Sequence, residues 1–181
     1  SIVDMSANGG LGAVIQKNVQ LHNYKSADGL TAIKHGNGRD WWIINRRWNN
    51  INNTFYKYLI TPSGVSDSMP QNIGYANNAA VARMQFSNSG NKLAHYNGGG
   101  LLELYDFDRC TGLLSNLNTV YPQLMQAPLP WYWSTCFSPD DNLLYISSIP
   151  IQSTDTSRLY QFDLTATNIA ASADTLRQTH F

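Results

Sequence analysis

Apolar positions in this chain cluster in short runs rather than at helical spacing. "TAIKH", "DWWIIN", "TFYKYLIT", "ARMQFS", "KLAHYN", "LLELYDFD", "STCFS", "LLYISS" and "RLYQFDLT" are rich in aromatic and β-branched residues. Gly, Asn, Asp, Ser and Pro separate them, in "GNGR", "TPSG", "SNSGN", "NGGG" and "SPDDN". Such punctuation predicts a meander of antiparallel strands. "FSNSGNKLAHY" is the best local hairpin, with Gly90 supplying a positive φ. "FSPDDNLLYI" repeats the device with Pro139 and Asp140 in the turn.

The devices recur. "IKHGNGRDWWIINRR…TFYKYLITPSG", "MQFSNSGNKLAHYNGG…LELYDFDRCTG" and "TCFSPDDNLLYISSI…RLYQFDLTATN" share one order of strand, turn, apolar strand, polar insert and aromatic-rich strand. Gly38, Gly90 and Asp141 fall in corresponding turns about 50 residues apart, the spacing of β-propeller blades. This alignment sets His35 against Phe86 and Phe137. The expected fold is all-β, a β-propeller segment of about three to three and a half four-stranded blades. Residues 1–30 would hold outer strands of a preceding blade, and 31–78, 79–130 and 131–181 one blade each. Propellers typically need four to eight blades, so further blades of the same chain or partner subunits are expected to complete the ring. The start at Ser1 and the stop at "RQTHF" read as a mature or fragmentary piece of something longer. A β-sandwich also has many short strands, but it requires no internal repeat.

Composition narrows the function classes. Formal net charge is zero and 13% of the 181 residues are charged. No basic block points to nucleic acid or to an anionic membrane. With 43% hydrophobic residues a core is expected, yet no apolar run approaches the ~20 residues of a membrane span. Abundant Asn, Ser and Thr with scarce Lys suit a secreted, loop-rich β protein.

"VDMSANGGLGAV", "KHGNGRDWWII", "LELYDFDRCTGLLSN", "FSPDDNLLYISS" and "LYQFDLTATNIAAS" together resemble the propeller-like region of large secreted surface proteins of Bacteroidota. Those proteins often end in a type IX secretion sorting domain. The resemblance implies export to the cell surface or medium and a propeller fold; it implies no established enzymatic activity.

Residue by residue, chemistry is sparse. His35, Arg39 and Asp40 lack a nucleophile elbow or a metal-binding HExxH nearby, so His35 and Asp40 are read as a hydrogen-bonded structural pair flanking a turn. Trp41 and Trp42 are neighbours on a strand and must face opposite sides, packing roles rather than one sugar platform. Arg46, Arg47, Trp48, Trp131 and Tyr132 lie in or beside the variable inserts and are the candidate contact residues for a protein or glycan partner. Cys110 and Cys136 form a candidate disulfide, closing a loop of about 27 residues worth roughly 3–4 kcal/mol. "DFDRCTG" lacks the ligand pattern of a calcium loop, and two cysteines without local CxxC or HxxxH spacing do not make a zinc site. The glycines of "NGGGLLEL" precede a strand, which excludes a phosphate loop, and Asn52 is a formal sequon of little weight. No cofactor and no metal are expected. The leading function is a non-enzymatic, secreted or surface-displayed interaction module. The alternatives are a carbohydrate-active enzyme domain, which would need two carboxylates facing each other, and a purely structural subunit of an extracellular assembly.

Overall fold

Among the described residues there are fifteen strands and two short 3-10 turns, at Asn8–Gly10 and Ala170–Ser172. The structure, a computed structural model, describes residues 2–48, 51, 53–76, 81–121, 131–149 and 156–180. Strands β1 (Ile2–Asp4) and β2 (Ala13–Gln16) pair as a small ribbon. Next come β3 (Ser26–Lys34), β4 (Trp41–Arg47), β5 (Thr54–Thr61), β6 (Gly64–Val65) and β7 (Met69–Asn72), which form the first large sheet. The second sheet holds β8 (Ala82–Phe86), β9 (Lys92–Asn97), β10 (Leu102–Phe107) and β11 (Leu114–Tyr121). The third holds β12 (Trp131–Phe137), β13 (Leu143–Ile149), β14 (Thr156–Asp163) and β15 (Asp174–His180). All pairings are antiparallel between chain neighbours, apart from β7, which returns to β5 beyond β6, and no sheet closes on itself. β3 begins at Ser26, inside the stretch assigned to a preceding unit, while the expected boundaries at 78–79 and 130 fall outside the described residues. Among the described residues no helix is long and apolar enough to cross a membrane.

The three large sheets stack face to face, and strand alternation divides their side chains between two cores. Trp42, Ile44 and Phe55 of the first sheet meet Met84, Phe86, Leu93, Tyr105 and Phe107 of the second. From its other face the second sheet sends Ala94, Tyr96, Leu102 and Leu104 against Tyr132, Leu144, Ile146 and Phe162 of the third. Consecutive residues such as Leu93 and Ala94 therefore serve different cores, as a period of two requires. The leading strands also approach one another: β3 packs on β8, and β12 on β8 and β9. Gly29 permits the first approach, since a Cβ there would lie 2.8 Å from the Ala82 carbonyl oxygen.

The first hairpin of each sheet has one geometry. The closing amides of His35, Ser87 and Ser138 donate to the carbonyls of Asp40, Lys92 and Leu143 at 2.8, 3.0 and 2.9 Å. Inside the turns Gly38, Gly90 and Asp141 donate back to His35, Ser87 and Ser138, and all three have left-handed backbones, with φ of 73°, 75° and 60°. His35 is thus equivalent to Ser87 and Ser138; the match to Phe86 and Phe137 was one residue out of register, because the closing bonds count from the turn and not from the last apolar residue.

Asp141 occupies a slot that costs an ordinary residue about 1–2 kcal/mol. Its carboxylate accepts from the amides of Asn88 (2.7 Å) and Ser89 (2.8 Å) and from the Asn88 side chain (3.0 Å), fastening the third sheet to the second. Asp141→Ala is expected to lose these bonds while keeping the strain, at a cost of about 1.5–3 kcal/mol. Asp141→Gly relieves the backbone and should cost less. Urea unfolding of the two variants gives the order; equal losses would mean that the carboxylate contributes nothing.

Candidate functional site

The opening hairpin is tied to its neighbour rather than arranged for chemistry. Nδ1 of His35 accepts the Asn37 amide at 2.9 Å, and its Nε2 lies 3.0 Å from the Cys110 carbonyl oxygen in the turn after β10. Asp40 is buried and accepts from the Arg39 guanidinium at 2.8 Å and the Asn37 carboxamide at 2.8 Å. Those bonds hold its carboxyl below the usual range. The Trp42 indole donates to the Arg109 carbonyl at 2.8 Å and lies buried in the first core, while Trp41, on the opposite face of β4, is exposed.

Cys110 and Cys136 are free, exposed thiols, so the expected disulfide is absent. The reason is directional. The Cys110 sulfur packs against Gly36 of the first sheet, where a Cβ would overlap it. Cys136 belongs to β12 in the third sheet, on the far side of the second.

Alternation also separates the two arginines at the end of β4. Arg46 shares the face of Trp42 and Ile44 and is fully buried, so it cannot serve as the exposed contact expected of it. Its NH1 donates to Glu103 Oε2 at 2.7 Å and contacts His95 Nδ1 at 2.7 Å. NH2 bonds the Tyr75 carbonyl, and the Tyr75 amide donates to Glu103 Oε1 at 2.7 Å. The guanidinium lies 4.5 Å from the centre of the Phe55 ring. Gly74 packs so closely that a Cβ would overlap the Tyr105 hydroxyl, and its φ of +82° suits glycine in any case. Burial, helped by the Arg46 cation, pushes His95 down to about 4. Burial pushes Glu103 up, but His95 and Arg46 outweigh it and hold the carboxyl near 2. At neutral pH the cluster is therefore an arginine–glutamate ion pair with a neutral histidine, sealed between two sheets. Such a group can hold sheets in register but presents nothing to a ligand. His95 and Glu103 belong to no motif in the sequence. The available signal was "LELYDFD", where Glu103 shares a face with Tyr105 and Phe107, two apolar-core positions.

Of the other expected contact residues, Tyr132 is buried in the second core and so is unavailable to a partner. The side chain of Trp131 and the sequon residue Asn52 lie outside the described residues. Arg47 is half-buried and Trp48 is exposed at the end of β4, with the Lys25 ammonium 5.7 Å from the Trp48 ring centre.

Trp133 is an exposed aromatic that the sequence alone does not mark out. Tyr132 pairs with Ser148 and Ser134 with Ser147, which leaves Trp133 as an extra residue in a β-bulge. Bulges re-aim side chains. Trp133 is 46% exposed, and the Arg83 guanidinium of β8 lies 5.7 Å from its ring centre. The Tyr96 hydroxyl, donating to the Trp133 carbonyl at 3.0 Å, fixes the bulged backbone. The result is an exposed indole on an anchored backbone with a cation beside it, on the leading strands of two adjacent sheets. Among the described residues no group of three His, Cys, Asp or Glu is placed to hold a metal ion.

No protein-family model matches the chain, and no curated protein matches it. Among solved structures, a luciferin-regenerating enzyme is similar over 83% of this chain, at 14% identity and a TM-score of 0.48. The match covers 45% of that protein, so this chain spans less than half of its length.

Proposed function

We propose that the three stacked sheets are blades of a β-propeller, displayed at a cell surface or secreted, and that the chain is a non-enzymatic interaction module that contacts glycans. Support for the propeller is the identical hairpin in three successive sheets, together with the convergence of β3, β8 and β12 on one side. Further blades or partner subunits would cover the outer face of the first sheet, where Tyr24 stacks on Tyr56 at 4.0 Å. Export is supported by the polar, lysine-poor composition and by the resemblance to secreted surface proteins.

Trp133 carries the interaction reading. An exposed indole is expensive to keep in water, and it offers a flat apolar face for the C–H side of a sugar ring. Arg83 beside it supplies donors for hydroxyl or carboxylate groups. The leading strands argue against hydrolysis at this place. Asp28 is the one carboxylate in β3, β8 and β12, whereas glycoside hydrolysis uses two.

A glycan array probed with the native chain and with Trp133→Ala tests this. Retention of a subset of glycans is expected, weakened at least tenfold by Trp133→Ala without loss of thermal stability. A blank array, or retention indifferent to Trp133, removes the reading.

A further inference from the structure

A recess lies between the second and third sheets, near the end of β10, and Trp133 is not among the residues that line it. Its volume is about 240 Å³, below the ~300–1,000 Å³ of drug-sized sites. The floor is apolar but narrow: Leu164, from the turn after β14, is half-buried, while Leu104 of β10 and Ile169 of the same turn belong to the core and show only their edges. Four polar side chains stand over it, those of Lys92, Asp106, Asn116 and Asn118.

The polar groups are positioned by another bulge. Leu104 pairs with Asn118 and Asp106 with Ser115, so β11 carries an extra residue between them. Asn116 takes a left-handed φ of 48° there, which asparagine tolerates better than most residues. Its carboxamide thereby donates to Asp106 Oδ2 at 2.8 Å. Lys92 donates to Asp106 Oδ1 at 3.1 Å. Burial pushes the Asp106 carboxyl up, but these two bonds outweigh it and keep the group ionised. Each carboxylate oxygen has a further lone pair, the ammonium has further protons, and each carboxamide brings both donors and acceptors.

We propose that this recess binds a single hexopyranose. A pyranose is a small ring whose C–H groups form an apolar face and whose rim hydroxyls each donate and accept. Leu164, with the edges of Leu104 and Ile169, meets part of that face; Asp106 and the two asparagines match vicinal hydroxyls, and Lys92 adds a donor. A cation would have to displace the Lys92 ammonium from Asp106, and an anion would face the Asp106 carboxylate. A neutral polyol meets neither obstacle. The site is separate from Trp133 and does not depend on the function proposed for that residue.

The test is an NMR titration of the intact chain with the methyl glycosides of glucose, galactose, mannose, fucose and N-acetylglucosamine. Saturable shifts of the Asn116 and Asn118 side-chain amides are expected with at least one of them. Asn118→Leu and Asp106→Ala should each weaken that binding at least tenfold, while Trp133→Ala leaves it unchanged. No saturable shift with any of the five sugars, or binding unaffected by both recess variants, overturns the proposal.

Discussion

Glu103→Ala is expected to destabilise the chain by about 3–5 kcal/mol, because it strands the Arg46 cation in an interior without its anion. Arg46 is fully buried, and the substitution leaves it the neutral His95, the Tyr75 carbonyl and the Phe55 ring but no anion. Domains typically hold about 5–15 kcal/mol in all, so the loss would be visible as a large fall in the urea midpoint. The partner experiment separates an uncompensated charge from mere lost packing. Removing both charges together, as Arg46→Met with Glu103→Leu, should cost much less than Glu103→Ala alone, since a buried pair contributes little net stability over apolar residues of similar size. For comparison, Lys92 and Asp106 form an exposed pair, and Lys92→Ala should change stability by no more than about 1 kcal/mol. A loss below about 1 kcal/mol for Glu103→Ala would show that solvent reaches the cluster.

Acid should destabilise the chain over two overlapping pH windows, the upper of which starts well above the usual carboxylate range. His95 titrates near 4 in the fold against an ordinary 6.5, burial being the main cause and the Arg46 cation the second. The unfolded chain therefore binds more protons here, and stability falls as pH drops from 6.5 towards 4. Glu103 sits near 2 against an ordinary 4.5: burial would raise it, but His95 and Arg46 more than compensate. Its contribution is complete above 4.5 and is lost as pH falls towards 2. At about 1.4 kcal/mol per unit, each step removes about 3 kcal/mol. Thermal midpoints measured from pH 7 to pH 3 should decline throughout this range. His95→Leu should flatten the upper part and also shrink the lower part, because it removes one of the groups that hold the Glu103 carboxyl down. A flat profile between pH 6.5 and 4.5 in the native chain would contradict a buried, neutral His95.

The strands and their turns were legible because they depend on local chemistry. Gly, Asn and Asp at turn positions announce a left-handed backbone, and the repeat of Gly38, Gly90 and Asp141 locates three equivalent hairpins. Opposite facing of Trp41 and Trp42 follows from the pleat alone. Arg46 was misread although the pleat places it with Trp42 and Ile44, because arginine beside arginine looks like a surface. Its partners, His95 and Glu103, are brought to it by sheet stacking, which no local pattern encodes. The cysteines failed for the same reason: chain separation says nothing about which face of which sheet a thiol occupies. Trp133 depends on a register shift relative to β13, and a bulge of that kind is visible only once two strands are counted against each other.

The three hairpins are alike in backbone but not in what fastens them. Between the first two sheets, His35, Gly36 and Trp42 reach main-chain carbonyls of Arg109 and Cys110. Between the second and third, Asp141 takes up the Asn88 and Ser89 amides. A repeat moved to another place in the series would bring the wrong connector: Gly90 has no side chain to play the part of Asp141, and a Cβ there would meet Arg109 at 2.8 Å. Each unit therefore carries an address as well as a shape. Duplication could have produced such a series, but once its junctions diverged the units could no longer be shuffled, deleted or added without remaking the junction on each side.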